Sequence, residues 1–326
     1  IMQGVSICIL VMNKNPVKRG VFFAELFGKR RKKYEALEVN GISLDEFKSV
    51  YPHRPFYFFT QKDFSERDSY ESFFSLKNFM PLRNSGTKTD RDKLFVDEER
   101  KKLSDRIQRL LTGDFNEEFA SMFNVQNSSS YKLKECIIKC TFDSAYLTKY
   151  NFRPLDERFI YYDRFLISRP AWTVSKHLLK KDNLAILAPR QAQRGFHHIW
   201  VTNSIVDVNL LSNAGMFGAG YTFPLYLYPD EQDLDQTRRV NFDPKLYAKL
   251  QKQAKHSDHG TPDEVQVFDY IYGVLHCPAY RETYAEFLKI DFPRIPWPAT
   301  PDEFWDISAK GSTLRKLHLM DPATIG

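Results

Sequence analysis

With 326 residues, 42% of them hydrophobic and 27% charged, the chain can form one large globular domain or two ordinary ones, and its composition excludes overall disorder. Four cysteines without a CxxC pair exclude a disulfide scaffold. No apolar run reaches the roughly 18 residues of a membrane span, so a reducing cytoplasm is the expected compartment. The 47 basic and 41 acidic side chains leave a net charge of +6, which suits a polyanionic partner without requiring one.

The chain opens at Ile1 inside an apolar run, as expected of a piece of a longer protein. Val5–Met12 and Gly20–Phe27, separated by the Asn-Pro turn of Asn13–Arg19, are expected to form an antiparallel pair. Lys29–Lys33 is a basic run, readable as a solvated edge or as a phosphate clamp. Ser43-Leu-Asp-Glu46 has capping-box spacing, and Tyr51–Phe59 is strand-like. Residues 61–83 mix helix and loop, followed by a polar loop, Asn84 to Arg91. Asp97 is expected to cap a helix with Leu103, Ile107, Leu110 and Leu111 on one face and Gly113 as its stop, and a second short helix covers Asn116–Phe123.

From Cys136 onward short apolar runs alternate with turns: Cys136–Phe142, Phe159–Tyr162, Leu184–Leu187, His198–Thr202 and Tyr221–Tyr228, with a helix near Thr173–Leu179. Beyond Asp230 the pattern is helical. Asp243-Pro244 is a cap with proline at the first helical position, and Thr261-Pro-Asp-Glu264 and Thr300-Pro-Asp-Glu303 have capping-box spacing. The fold class expected is α+β, in four parts: a hairpin over 1–40, a mainly helical connection over 41–135, a sheet-rich core over 136–230 and a helical segment over 231–326.

Enzyme motifs are sparse. Gly215 to Gly220 resembles a cofactor loop but leads into a strand, where such a loop opens a helix. Asp230, Asp243 and Lys245 loosely match a Mg²⁺-dependent nuclease, although Asp243 also serves as a helix cap. The denser signal lies between residues 152 and 191, where Arg153, Arg158, Arg169 and Arg190 offer guanidinium forks for phosphate or a guanine edge. Internal ion pairs with Asp156, Glu157 or Asp163 are the competing use of those forks. Gln191 and Asn203 could pair with adenine edges, and strand alternation turns one of Tyr161 and Tyr162 inward and the other toward a ligand. With Asn84, Lys88, Arg91 and Arg194 these make up the candidate DNA-contacting set.

Several long stretches occur together in one order: NSGTKTDRDKLFVD (84–97), FRPLDERFIYYD (152–163), ISRP (167–170), HLLKKDNLAIL with PRQ (177–191), FHHIWVTNSIVD (196–207), GYTFPLYLYPD (220–230) and the segment from Val267 to Pro298. They resemble the C-terminal target-recognition region of type ISP restriction–modification enzymes and related adenine-N6 DNA methyltransferases. The opening hairpin looks like the end of the preceding methyltransferase domain. The resemblance implies sequence-specific reading of double-stranded DNA. It also implies S-adenosylmethionine, and Mg²⁺ with ATP in a restriction enzyme, for the longer parent. Neither the family's Asn-Pro-Pro-Tyr motif nor its cofactor loop occurs here, so this stretch is expected to carry no catalytic residue and no cofactor of its own. A nuclease built on Asp230, Asp243 and Lys245, and a docking scaffold, stand as alternatives.

Overall fold

The computed structural model describes residues 7–12, 20–39, 47–54, 57–192, 195–211, 220–230 and 232–326. The chain divides into two compact units, Ile1–Phe64 and Ser65–Gly326.

In the first unit Val21–Phe23 pairs antiparallel with Lys48–Val50, and the helix Arg30–Val39 lies between them in sequence. This corrects the expected pairing of Val5–Met12 with Gly20–Phe27. Ile7–Met12 carries no strand and leaves Ile9 81% and Met12 fully exposed. Apolar spacing reports what a segment could bury, not which segment pairs with it. The basic run starts the helix, with Arg31 paired to Glu35 one turn on. Among the described residues of 51–59 there is no strand. The turn at Asn13–Arg19 and the capping box at Ser43–Glu46 lie outside the described residues.

The second unit is α+β, built on two four-stranded sheets. The first runs Ile205–Val206, Leu147–Arg153, Asp156–Tyr161, Val96–Asp97, with only its first pair parallel. On it packs the helix Arg100–Thr112. Leu103, Ile107 and Leu110 recur at helical spacing and are fully buried, and Gly113 ends the helix at φ +77°. Its cap position is Glu99, not Asp97. Asp97 ends the neighbouring strand, where its carboxylate accepts the Glu99 N–H at 3.0 Å and Arg106 at 2.8 Å. Asn116 does cap Glu117–Met122.

Cys136–Phe142, expected as a strand, is instead the end of a one-turn helix, Leu133–Ile137, and the chain leaving it. Buried Leu133 and partly buried Ile137 stand one turn apart, so the helical period overrides the alternation. Burial, followed by the charge of Asp163, pushes the Cys140 thiol up to about 12, and both thiols pack into the first sheet's core.

The second sheet runs Asn84–Ser85, Gly220–Pro224, Ala185–Pro189, Trp200–Thr202, antiparallel throughout. Its core is completed by the helices Pro244–Ala254, Glu264–His276 and Pro301–His318. Asp243 caps the first of these with Pro244 behind it, and Thr300 caps the third, as the sequence suggests. The middle helix starts two residues later than expected. Asp263 and Gln266 form the capping box, each accepting the other's backbone N–H at 2.8 Å. Among the described residues no helix is long and apolar enough to cross a membrane.

Helices 264–276 and 301–318 meet at glycines. A Cβ on Gly311 would stand 1.9 Å from the carbonyl oxygen of Asp269, and one on Gly273 2.7 Å from that of Ile307. The same contact is tied by Arg315, which grips the buried Asp269 carboxylate with two bonds, 2.6 and 2.9 Å. Backbone cannot yield as a flexible side-chain tip can. Gly311→Ala therefore forces the helices apart, and its urea midpoint should correspond to a loss of about 1–3 kcal/mol. An unchanged midpoint would contradict this packing.

Candidate nucleic-acid interface

The stretch 84–97 crosses from the second sheet to the first. Asn84–Ser85 pairs with Gly220–Pro224, and Val96–Asp97 pairs with Asp156–Tyr161. Midway, Thr87 lies parallel to Asp207, donating its N–H to Val206 at 2.8 Å and accepting from Val208 at 2.9 Å. The two chains touch at Gly86, where a Cβ would lie 2.7 Å from the Asp207 carbonyl and 2.8 Å from that of Val206. Only glycine permits this approach.

Asp207 is the node beneath that crossing. It is 3% exposed, and its carboxylate accepts from the Tyr150 hydroxyl at 2.8 Å, Arg153 at 2.9 Å and the Asn209 N–H at 2.8 Å. Burial raises its carboxyl above the ordinary value even though all three partners favour the ionised form.

Next to it, Lys88 and Arg169 exchange backbone hydrogen bonds of 2.9 and 3.0 Å. The Asp90 carboxylate accepts from the Lys88 ammonium and the Ser168 hydroxyl, both at 2.6 Å. Burial works against ionised Asp90, but those bonds and the charges of Lys88 and Arg169 outweigh it and hold its carboxyl below the ordinary value. The Pro170 carbonyl then accepts from Tyr162 at 2.6 Å, Ser175 at 3.0 Å and Thr87 at 3.2 Å. The segment 163–175 is thereby fixed to the crossing strap.

The candidate residues sort by what already holds them. Arg153 is tied to Asp207 and lies 3.9 Å over the Phe152 ring. Arg158 forms a bidentate pair with Asp156 and reaches Glu98 at 3.6 Å. Glu157 pairs with Lys149 instead, at 2.7 Å. Arg91 donates to the carbonyls of Asp90, Asn124 and Gln126, and Lys88 pairs with Asp90. Arg190 pairs with Asp291 at 3.1 Å, and Gln191 donates to the Ile290 carbonyl at 3.0 Å. Asn84 donates to Thr173 at 2.8 Å.

Tyr161 has no exposed surface, and its neighbour Tyr162 is 1% exposed. The alternation expected to turn one ring outward fails because the end of this strand is covered on both sides, at Ile160 and Tyr161, and Tyr162 lies just beyond it, also buried. The Tyr161 hydroxyl accepts the Asp143 N–H at 3.0 Å, and burial raises it to about 12. It is a core residue. Arg194 lies outside the described residues. Asn203 sits exposed on the turn between Trp200–Thr202 and Ile205–Val206, and Arg169 is exposed with no side-chain ion pair among the described residues.

Sequence reasoning passed over Arg164 and Phe165, both exposed on the turn that follows the second tyrosine. Continued alternation would have buried Phe165 with Tyr161. The informative signal was Asp163, whose side chain accepts the N–H two residues on and breaks the strand. Of the nuclease set, Asp243 is engaged as a cap through the Lys245 and Leu246 N–H groups, and Asp230 pairs with Lys176.

His177 fastens the back of this region. It is 4% exposed and its Nδ1 accepts the Tyr228 N–H at 3.0 Å, which requires the neutral ring. Burial, aided by the Lys176 charge, lowers it to about 4.

The family model described as the type ISP C-terminal specificity domain matches residues 78–325. No curated protein sequence matches the chain. Several solved structures resemble it, among them the following three. One is a DrdV–DNA complex solved by cryo-electron microscopy, with 20% identity and a TM-score of 0.70 over 92% of this chain and 30% of that one. Another is the ATP-dependent type ISP restriction–modification enzyme LlaBIII bound to DNA, with 18% identity and a TM-score of 0.65 over 89% and 19%. The third is a nuclease-deletion mutant of the type ISP enzyme LlaGI with a DNA substrate mimic, with 20% identity and a TM-score of 0.61 over 89% and 22%. The chain thus spans less than a third of each of these solved chains, and at such identity the likeness concerns the fold.

Two stability measurements test this construction. Asp207→Ala strands Arg153 and the Tyr150 hydroxyl and should cost about 3 kcal/mol in urea unfolding, the low end for a broken buried pair because Arg153 is one-third exposed. A loss under about 1 kcal/mol would remove Asp207 as the node. For His177, the unfolded ring takes up a proton below about pH 6.5 that the folded ring refuses until about 4. Its contribution is therefore complete above pH 6.5 and falls away between 6.5 and 4, by roughly 3 kcal/mol. The urea midpoint should drop from pH 7 to pH 5, less steeply in His177→Gln; equal slopes would mean His177 titrates normally.

Proposed function

The chain belongs to the type ISP C-terminal specificity-domain family, and from that premise we propose that it reads the sequence of double-stranded DNA for a restriction–modification enzyme. The family match over residues 78–325 carries this reading. Its solved likenesses are complexes with DNA or a DNA mimic, which agrees with it. Adenine methylation, with S-adenosylmethionine, and cleavage, with Mg²⁺ and ATP, would then belong to other parts of a longer cytoplasmic polypeptide. The exposed apolar side chains of the first unit, among them Ile7, Ile9, Leu10 and Phe27, are suited to docking against a methyltransferase domain of that polypeptide.

Within the interface the cations divide into two groups. Arg153 and Arg158 are neutralised by carboxylates of the protein itself, so a phosphate would have to displace a bonded partner to engage them. Their role would be to hold the strap and the paired strands Leu147–Arg153 and Asp156–Tyr161 in place. Lys88 is likewise paired, with Asp90. Arg169, exposed and outside any such pair among the described residues, is offered directly to phosphate or a base edge, with exposed Asn203 as a further contact on its own turn.

Binding of the full-length polypeptide to duplex libraries at several salt concentrations tests this. Affinity should differ between sequences and fall linearly with salt on logarithmic axes, and Arg169→Ala should flatten that slope by about one ion. Salt-insensitive binding, or equal affinity for all duplexes, would refute the proposal.

A further inference from the structure

We propose that Phe165 stacks against a base at a destacked step of the bound duplex while Arg164 holds the flanking phosphate; this rests on the DNA-reading function above. The turn that carries the pair is rigid. Asp163, 4% exposed, accepts the Phe165 N–H on its carboxylate at 2.8 Å, and its carbonyl accepts from Leu166 at 3.1 Å and Ile167 at 2.9 Å. Leu166 and Ile167 are buried, and the Tyr131 hydroxyl donates to the Leu166 carbonyl. The backbone on the far side of Phe165 is therefore clamped into the core, yet its ring is 67% exposed.

Arg164 adds the second half. Its guanidinium lies 4.6 Å from the Phe165 centroid and 4.9 Å from that of Trp172, and Trp172 stacks in turn on the buried Tyr162. Aromatic faces hold this cation in place without cancelling its charge. Among the described residues it has no ion pair; of the carboxylates near it, Asp230 is engaged by Lys176 at 2.9 Å and Asp163 by the Phe165 N–H at 2.8 Å. Arg153 and Arg158 also lie over a ring, that of Phe152, but each has its own carboxylate.

A single exposed phenylalanine is ordinary on a protein surface. A ring on a pinned turn, with an uncompensated guanidinium packed against it, presents a flat apolar face beside a positive charge. A nucleotide offers the complement, a flat base beside a negative phosphate. Apolar wedges act on duplexes in this way, and a ring already fixed in place gives up little freedom on binding.

The test uses the full-length polypeptide and target duplexes carrying 2-aminopurine at successive positions, since its fluorescence rises when the base leaves the stack. Wild type should brighten one or two adjacent positions. Phe165→Ala should abolish that rise and weaken binding about 10- to 100-fold, and Phe165→Trp should keep both. Arg164→Ala should lower the salt slope by about one ion, with Arg164→Lys restoring it. If wild type binds target duplex with the expected salt dependence but Phe165→Ala matches it in affinity and fluorescence, the wedge is wrong and the DNA-reading function stands. If wild type does not bind duplex at all, both fall.

Discussion

Two chain segments run side by side, parallel, with no side chain between them at Gly86 and the Asp207 carbonyl, and the two sheets of the second unit are joined through that contact. Both segments begin in one sheet and end in the other: 84–97 on one side and the turn from Trp200–Thr202 to Ile205–Val206 on the other. Each sheet has its own hydrophobic core. The crossing passes between them. It is polar and buried, so its donors and acceptors need partners; Asp207 supplies several at once, whereas the Ser204 hydroxyl finds none among the described residues.

That requirement explains why a stretch so rich in hydroxyls and charges is not a solvent loop. Thr87 and Thr89 have no exposed surface, and Asp90 adopts φ +55°, a strained conformation for a residue other than glycine. Asn84, Thr87, Lys88, Thr89 and Asp90 bond within the strap or to the 163–175 segment, while Arg91 reaches the carbonyls of Asn124 and Gln126. They are scaffold for whatever the exposed turns present.

Much of the fold is legible in the sequence where local chemistry decides alone. Gly113 as a stop, Asn116, Asp243 and Thr300 as caps and the stripe Leu103–Ile107–Leu110 all depend on residues within a turn or two of one another. The strand pairings were less readable. Nothing local to Val21–Phe23 names Lys48–Val50 as its partner, and nothing in Leu133–Ile137 shows that its Cys136 thiol belongs to a sheet's core. Thr261 and Asp263 are both plausible caps, and only the return bond from Gln266 selects the second. The candidate interface shows the same limit. Arginine spacing picked out the candidates, but whether a guanidinium faces outward depends on carboxylates far along the chain: Asp207 is 54 residues from Arg153, and Asp291 is 101 from Arg190. Tyr161 and Tyr162 are both buried, and the exposed ring comes at Phe165, beyond an Asp side chain that breaks the strand.

The missing side chain at Gly86 also bears on how such a reader could acquire a new target. A substitution within the strap disturbs the segment that joins the two sheets and lends Leu94, Phe95 and Val96 to one core, so variation there is filtered by folding before recognition is ever tested. Residues 164–165 and 203 sit at turn tips whose backbones are held from behind, and their side chains can be exchanged at little cost to the frame. In an evolving lineage, changes of specificity should therefore collect at those tips, while the polar strap, which most resembles a recognition loop, stays nearly still.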